Sequence, residues 1–223
     1  MPVSQVKRLL RPLYAPLLRR LRRGKDLRRE QDRIRAEVRR ALESASALNI
    51  IIGAGQTRRE GWIATDVPAF DVRDRDHWRR LFPQASIDRM LAEHVFEHLI
   101  SDELASFLVI AGHYLAPGGR IRIAVPDGCH PNVDYIESVK PGGTGIGAGD
   151  HKVLYTCDMI GDLMRAQGYR FELLEYFDAA GQFHQREWNA ADGYIGRSAD
   201  HDARNAGGQL NYTSLIVDCW RQQ

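Results

Sequence analysis

The feature that most constrains the fold is an alternation, from Leu48 onward, of short apolar runs with turn residues and helical patterns. Short apolar runs are typical of strands buried on both faces, and their alternation with helices is typical of a parallel sheet. The predicted strands are Leu48–Ile52, Trp62–Asp66, Ile87–Ala92, Arg120–Val125, Tyr169–Phe177 and Leu210–Trp220. The pattern therefore predicts an α/β domain over residues 46–223.

Two helices and two long loops are predicted within this domain. Ser101 is a helix-capping residue followed by acidic residues, and Pro117 with the glycines after it ends the helical pattern. A second helical pattern runs from Thr156 to Gln167. Residues 127–152 and 178–209 are polar and contain many turn residues, and loops of such length often bind ligands. We expect both loops to lie beside a binding site.

Residues 1–45 differ from the rest of the chain in charge. Residues 1–40 contain fourteen Lys or Arg and four acidic residues, whereas the whole chain has a net charge of only +2. Leucines recur at helical spacing among the arginines of residues 3–23, and a second helix is predicted from Asp26 to Ser44. We predict a basic, amphipathic helical extension. Its leucine stripe favours an anionic membrane surface over nucleic acid, and packing on the domain or in a homodimer is an open alternative.

The three cysteines, Cys129, Cys157 and Cys219, lie far apart in the sequence. Their odd number argues against a disulfide framework, and their spacing argues against a metal site. A reducing, cytoplasmic compartment fits this cysteine usage best. No apolar run reaches the roughly eighteen residues of a membrane-spanning helix. We therefore expect a cytoplasmic protein, in which residues 3–23 are the candidate contact with an anionic membrane surface.

The first predicted strand runs directly into Gly53-Ala54-Gly55, and the second ends in Asp66. Two glycines at the end of a strand allow a tight turn and a close approach of a ligand to the backbone. A carboxylate at the end of the neighbouring strand can accept hydrogen bonds from both hydroxyls of a ribose. The two features together predict an adenosine ligand.

A dinucleotide is disfavoured by the segment that follows the glycine turn. Arg58 stands where the dinucleotide motif has a third glycine, and only six residues, Gln56–Gly61, lead to the next strand. Six extended residues span about 20 Å, which closes the connection but leaves no room for a helix. Without a helix N-terminus at the turn, a pyrophosphate has no favourable dipole. The helix from Asp26 to Ser44 is our candidate to cover the resulting gap.

Four ordered motifs extend this interpretation. They are Leu48-Asn49-Ile50 before the glycine turn, Gly61-Trp62-Ile63 before Asp66, Glu93-His94-Val95-Phe96-Glu97-His98-Leu99, and Leu115-Ala116-Pro117-Gly118-Gly119-Arg120 before Val125-Pro126-Asp127. Together they resemble the motifs of class I S-adenosylmethionine-dependent methyltransferases, and most closely the bacterial predicted methyltransferases of the type-11 group. The likeness spans about residues 48–176 and is weaker at the end of the chain.

The resemblance implies a fold, a cofactor and a set of binding residues. The fold would be a Rossmann-like seven-stranded sheet with an antiparallel last strand, flanked by helices, and the cofactor would be S-adenosylmethionine. Asp66 would hold the ribose, and Asp74, with Asp76 as the alternative, would hold the adenine after a third strand. The implied cofactor site is Gly53, Ala54, Gly55, Asp66, Asp74, Glu93 and His94.

Methyl transfer is an in-line displacement at a sulfonium carbon, so it needs alignment and a water-poor site more than catalytic side chains. An acceptor hydroxyl also benefits from a base with a pKa near neutrality, which favours histidine. His151 and Asp127, at the two ends of the first long loop, are the predicted acceptor-handling residues. His94 and His98 follow the third predicted strand on the side where the methyl group should emerge, but Glu97 and His98 can equally cap and brace the helix behind that strand.

No metal site is predicted, because His130, His184 and His201 lack a supported ligand spacing. The expected function is methyl transfer to a hydroxyl of a small molecule or of a glycan-linked or lipid-linked acceptor. A non-catalytic, methyltransferase-like binding or scaffold protein is the alternative. The presence of both the glycine turn and Asp66 favours the enzyme, because a degenerate site need not keep them.

Overall fold

A computed structural model describes residues 24–222, in which seven strands form a single sheet. The strands are β1 (Asn49–Ile52), β2 (Trp62–Ala64), β3 (Ile87–Glu93), β4 (Leu115–Pro126), β5 (Tyr169–Phe177), β6 (Phe183–Gln185) and β7 (Ser214–Arg221). Their spatial order is β2-β1-β3-β4-β7-β5-β6. Strands β1 to β4 pair in parallel, whereas β7 is antiparallel to both β4 and β5. The predicted Rossmann-like sheet with an antiparallel last strand is confirmed.

The seventh strand is not the one that the resemblance implies. No strand forms between β2 and residue 74 in the described chain; the seventh strand is instead β6, which forms a hairpin with β5 inside the predicted loop 178–209. The reason lies in the side chains that follow β2. Asp71 accepts a hydrogen bond from the Arg73 N–H, and Asp74 accepts one from the Asp76 N–H. Such local bonds favour turns and helix caps over a strand.

Five helices accompany the sheet in the described chain: α1 (24–43), α2 (Arg75–Leu81), α3 (Ser101–Tyr114), α4 (Val133–Val139) and α5 (Cys157–Ala166). Helices α1, α3 and α5 confirm the three helices predicted within the described residues. Helices α2 and α4 lie where no helix is predicted, because each has only seven residues and too few turns to show a periodic pattern. Asp74 caps α2 and Asn132 caps α4 through their side chains.

Three predicted element ends are wrong. Strand β4 begins at Leu115, five residues before its predicted start at Arg120, so Pro117 and the glycines after it lie within the strand. Ser101 is the first residue of α3 and makes no capping bond; the Glu103 carboxylate instead accepts a hydrogen bond from the Ile100 N–H. Strand β7 begins at Ser214, four residues after its predicted start at Leu210. The Asn205 side chain bonds both backbone groups of Tyr212, so this part of the chain cannot join the ladder.

The two faces of the sheet are covered differently. Ile50 and Ile52 of β1 belong to a large core cluster that also holds the buried side chains of α1, α2, α3 and α5. Ile51 points to the opposite face, where a small cluster is covered by Ile195 and Trp188 from the loop between β6 and β7. Since neighbouring residues of a strand face opposite sides, helices pack on one face and this loop packs on the other.

Helix α1 packs against the sheet beside β2. Its residues Ile34 and Val38 are buried in the main core, and Arg33 donates a hydrogen bond to the Ala64 carbonyl. The connection between β1 and β2 contains no helix, as predicted. The predicted amphipathic segment 3–23 lies outside the described residues. Between residues 24 and 222, no helix is both long enough and apolar enough to cross a membrane.

A buried ion pair fastens the loop between β6 and β7 to the sheet. The Arg122 guanidinium donates to both carboxylate oxygens of Asp218, each at 2.7 Å, and both side chains are almost fully buried. Its remaining nitrogen donates to the carbonyls of Asn189 and Gly193, and its plane lies over the Trp188 ring. The pair therefore positions the loop as well as neutralising two buried charges.

We expect Arg122→Lys to lower the free energy of unfolding by about 2 kcal/mol, because a lysine cannot reproduce the planar fork of hydrogen bonds. Arg120→Lys is the matched control, since Arg120 also contacts Asp218 but is more exposed. Denaturant unfolding of both variants measures the difference. Equal losses in the two variants would contradict the role assigned to the buried pair.

Candidate functional site

A cleft of about 500 Å³ opens where the strand order reverses, between β1 and β3. Ligands of open α/β sheets bind at such a switch point, beyond the carboxyl ends of the strands, and the volume is in the usual range for small-molecule sites. The lining residues are Ile52, Gly53, Asp66, Val67, Phe70, Asp71, Val72, Arg73, His94, Val95, His98, Leu99, Asp150 and Lys152. The predicted residues Gly53, Asp66 and His94 thus share one cleft.

Gly53 ends β1 in a conformation that only glycine tolerates well. Its φ is +62°, in the left-handed region. A Cβ at this position would lie 2.5 Å from Cγ2 of Val95, which follows β3. The floor of the cleft is therefore bare backbone pressed against a neighbouring side chain. Gly55 also has a positive φ of +52°, but a Cβ there would meet open space.

Asp66 is joined directly to the glycine turn. Its Oδ2 accepts a hydrogen bond of 2.8 Å from the Gly55 N–H, and its Oδ1 accepts one of 2.7 Å from the Val67 N–H. Each carboxylate oxygen has about two acceptor sites, so both oxygens keep one free for a ligand. The side chain is half-buried on the cleft wall. The turn and the carboxylate thus form one hydrogen-bonded unit that faces the cleft.

The far end of the cleft is mainly apolar, and Asp74 is not part of it. Phe70, Val72 and Leu99 contribute carbon surface there. Asp71 also lines this end, where Arg73 holds its carboxylate at 2.8 Å and lowers its pKa. The expected adenine residue Asp74 caps α2 outside the cleft, and Asp76 pairs with Arg79 on the surface. Because the described residues between β2 and α2 form no strand, Asp74 lies in a helix cap and not at the end of a strand that borders the cleft.

A second, smaller hollow of about 260 Å³ lies on the other side of the glycine turn. It shares Ile52, Gly53 and His94 with the cleft. The residues that it adds are Ala54, Gly55, Thr57, Arg59, Tyr194 and Arg197 from two loops, together with Ile51, Leu91 and Glu93. The Arg59 guanidinium lies 4.1 Å from the centre of the Tyr194 ring. The predicted residues Ala54, Gly55 and Glu93 therefore face this hollow and not the larger cleft.

His94 and Glu93 are both engaged by the chain around them. The Nε2 of His94 lies 2.9 Å from the Ser214 hydroxyl, and burial, with the charge of Arg197, lowers the pKa of its imidazole well below the ordinary value. The Glu93 carboxylate accepts hydrogen bonds from the backbone N–H groups of Gly196 and Arg197. Glu93 thus fastens the loop before β7 to the end of β3.

Three side chains next to the cleft form a buried polar cluster. Glu97 and His98 lie in a 3-10 turn just after β3, and His151 packs against them from the loop that follows α4. The Glu97 carboxyl is 1% exposed, and burial raises its pKa to about 8. Burial also lowers the pKa of His98, whose ring lines the cleft. From the sequence, bracing of the neighbouring helix is the favoured interpretation of Glu97, and a role at the acceptor is the alternative.

His151 and Asp127, the predicted acceptor-handling residues, do not line the cleft. The Nδ1 of His151 lies 2.6 Å from the Val139 carbonyl, and its Nε2 faces Glu97. Asp127 is fully buried, and its two oxygens accept hydrogen bonds from the N–H groups of Cys129 and Phe177. Burial raises the pKa of Asp127 to about 6 against the effect of these donors. Its placement supports a structural role that ties β5 to the end of β4.

We expect Asp127→Asn to lower the free energy of unfolding by about 1–3 kcal/mol. The NH2 of the new amide is a donor and would face one of the two buried backbone N–H groups, which would then have no acceptor. Ligand affinity should stay within about twofold of wild type, since the residue does not reach the cleft. Chemical denaturation and calorimetric titration measure the two effects separately. A variant that is as stable as wild type but has lost methyl transfer would show instead that Asp127 acts on the acceptor.

Comparisons with known proteins place the chain only broadly. No family model matches the sequence, and no curated protein matches it. A methyltransferase from Mesorhizobium loti that depends on S-adenosylmethionine is similar in structure, with a TM-score of 0.48, 13% identity, and coverage of 82% of this chain and 84% of that one. One from Archaeoglobus fulgidus has a TM-score of 0.45, 14% identity, and coverage of 85% and 92%.

A third similar structure is the 1,6-didemethyltoxoflavin-N1-methyltransferase of Burkholderia thailandensis, which contains S-adenosylhomocysteine and 1,6-didemethyltoxoflavin. Its TM-score is 0.46 at 15% identity, and the alignment covers 95% of this chain and 88% of that one. The ligand of this chain has to be inferred from its own cleft.

Proposed function

We propose that this protein is an S-adenosylmethionine-dependent methyltransferase. The observation that carries the proposal is the unit formed by Asp66 and the glycine turn, in which a carboxylate with two free acceptor sites stands beside bare backbone in the switch-point cleft. The two ribose hydroxyls of the cofactor would donate to Asp66. The amino-acid end would cross the backbone of Gly53, and the adenine would occupy the apolar end formed by Phe70, Val72 and Leu99.

The same cleft disfavours a dinucleotide. Residues 53–61 contain no helix, so the glycine turn does not lead into a helix N-terminus that could hold a pyrophosphate. The free acceptor sites at the turn are carboxylate oxygens, which attract hydroxyl donors and repel phosphate oxygens. A nucleoside that carries a sulfonium and an amino acid has no phosphate groups, so it needs no helix N-terminus and is not repelled in this way. These features support S-adenosylmethionine over NAD.

The acceptor is proposed to be a hydroxyl of a small molecule or of a glycan-linked or lipid-linked group. The hollow beside the glycine turn supports this class, because the Tyr194 ring lines it together with Arg59 and Arg197, whose guanidinium groups are hydrogen-bond donors. An oxygen lone pair would form the new bond to the methyl carbon while the carbon–sulfur bond breaks and sulfur takes its electron pair. The hydroxyl proton would leave to a base or to solvent.

Calorimetric titration of the full chain tests the proposal. S-adenosylmethionine and S-adenosylhomocysteine should each bind at one site per chain, and NAD should give only the heat of dilution. Transfer of a labelled methyl group to hydroxylated acceptors would then distinguish an enzyme from a binding protein. No heat above dilution with either sulfur nucleoside, from a folded sample, would contradict the proposed function.

A further inference from the structure

The cluster of Glu97, His98 and His151 contains a buried carboxyl group whose oxygens are unsatisfied. Both carboxylate oxygens of Glu97 are buried and have no hydrogen-bond partner among residues 24–222. A buried carboxyl group without partners is costly, so such groups normally bind a donor or a metal ion. The groups nearest to its Oε1 are ring nitrogens, at 3.3 Å from His94 and 3.9 Å from His151. The orphaned oxygens therefore face imidazoles.

His151 is oriented as a metal-binding histidine usually is. Its Nδ1 lies 2.6 Å from the Val139 carbonyl, and a carbonyl can only accept, so the proton of the neutral ring is on Nδ1. The Nε2 lone pair is then free and points toward Glu97. A histidine ligand commonly donates its other N–H to a backbone carbonyl in this way, which fixes both the ring and the tautomer.

The three side chains supply a complete donor set at nearly the right spacing. One ligand atom from each of Glu97, His98 and His151 lies within 4.8 Å of the others. Donor atoms around a tetrahedral zinc ion are about 3.3 Å apart, so an inward movement of about 1 Å or less in each side chain would form the site. Two imidazole nitrogens and one carboxylate are a known donor set for catalytic zinc, with one position left open.

We propose that Glu97, His98 and His151 bind a divalent transition-metal ion, with zinc as the representative. His98 lines the cofactor cleft, so the open coordination position would face the cleft and not the core. Asp150, whose Oδ2 is 3.8 Å from His98 Nδ1, lies at the solvent side of the same cluster. The sequence alone predicts no metal site, because His151 is far from Glu97 and His98 in the sequence and approaches them only through the loop 140–152.

One consequence rests on the proposed function. An acceptor hydroxyl bound at the open position would lose its proton more readily, since a metal ion lowers the pKa of a bound oxygen. The metal site itself does not depend on methyl transfer. Metal binding and cofactor binding can therefore be measured independently of each other.

The test uses the full chain, treated with a chelator and dialysed, with Zn²⁺ as the titrant. We expect one tightly bound Zn²⁺ per chain, and a weakening of its affinity by at least about tenfold in Glu97→Gln and His151→Ala. His184→Ala is the matched control, because His184 also contacts a carboxylate, Asp178, away from the cleft. Glu97→Gln should fold, since it replaces a buried carboxyl by a neutral group of the same shape.

Co²⁺ provides a second readout, because its visible spectrum reports coordination by nitrogen and oxygen ligands. The proposal predicts a spectrum that is present in wild type and His184→Ala and absent in Glu97→Gln. Failure to bind Zn²⁺ above dilution, or equal affinity in wild type and Glu97→Gln, would overturn it. S-adenosylhomocysteine binding without zinc binding would reject the metal site alone, and zinc binding without nucleoside binding would reject the proposed function alone.

Discussion

Replacing Asp66 with alanine should weaken the binding of S-adenosylhomocysteine by about 100-fold or more, because two hydrogen bonds to a charged group contribute about 1.5–3 kcal/mol each. The loss should appear in calorimetric titration as a lower affinity, with the fold retained. Asp66 also accepts the Gly55 N–H, so part of the loss would come from a looser glycine turn. Thermal unfolding of the same sample measures that contribution.

Two further variants make this result specific. Asp66→Asn keeps the size of the side chain but replaces one acceptor oxygen by a donor, so its affinity should fall between wild type and Asp66→Ala. Asp74→Asn removes the same charge from a residue that caps α2 outside the cleft, and asparagine caps helices as well as aspartate does. Its affinity should equal that of wild type. A loss in Asp74→Asn as large as in Asp66→Ala would place the ribose elsewhere.

Gly53→Ala should abolish measurable binding of the cofactor product and lower the free energy of unfolding by roughly 2–4 kcal/mol. A side chain with a left-handed φ costs about 1–2 kcal/mol, and the added methyl group also meets Val95 at 2.5 Å. Gly55→Ala is the matched control, because its φ is also positive but its Cβ would meet open space. Its free energy of unfolding should fall only by the cost of placing a side chain at a left-handed φ, without the cost of a collision.

Truncating Val95, the side chain that the new methyl group would collide with, should recover part of the stability lost in Gly53→Ala. Gly53→Ala combined with Val95→Ala should be more stable than the sum of the two single changes predicts, because the collision no longer occurs. Denaturant unfolding of the four chains gives this coupling. Simple additivity would show that Val95 does not determine the requirement for glycine, and the close contact between β1 and the segment after β3 would then be incorrect.

The parts of the site that the sequence predicts are those set by local chain geometry. Gly53 directly follows β1 and Asp66 lies two residues after β2, and because these strands pair in parallel, strand pairing alone brings both residues to one edge of the sheet. Helices α1, α3 and α5 also follow from patterns that are long enough to show helical periodicity, whereas the antiparallel direction of the last strand is implied only by the resemblance to class I methyltransferases. Asp74 is different. Its expected role depends on counting from a third strand, which this chain replaces with a turn and a short helix.

Other features depend on contacts between distant segments, for which one sequence gives no signal. Asp127 looks like a cleft residue because it follows a strand, but Phe177, fifty positions away, donates to its carboxylate and buries it. His151 reaches Glu97 only because the loop after α4 folds back over the 3-10 turn. Tyr194 and Arg197 enter the second hollow through a loop that Arg122 and Glu93 hold in place.

A crystal structure of the full chain in complex with S-adenosylhomocysteine would show directly whether the cleft binds the cofactor. We expect the nucleoside in the cleft between β1 and β3, with both ribose hydroxyls within hydrogen-bonding distance of the Asp66 carboxylate and the amino-acid part across the backbone of Gly53. Crystals grown in excess ligand that show this cleft empty, or the nucleoside at another surface, would contradict this expectation.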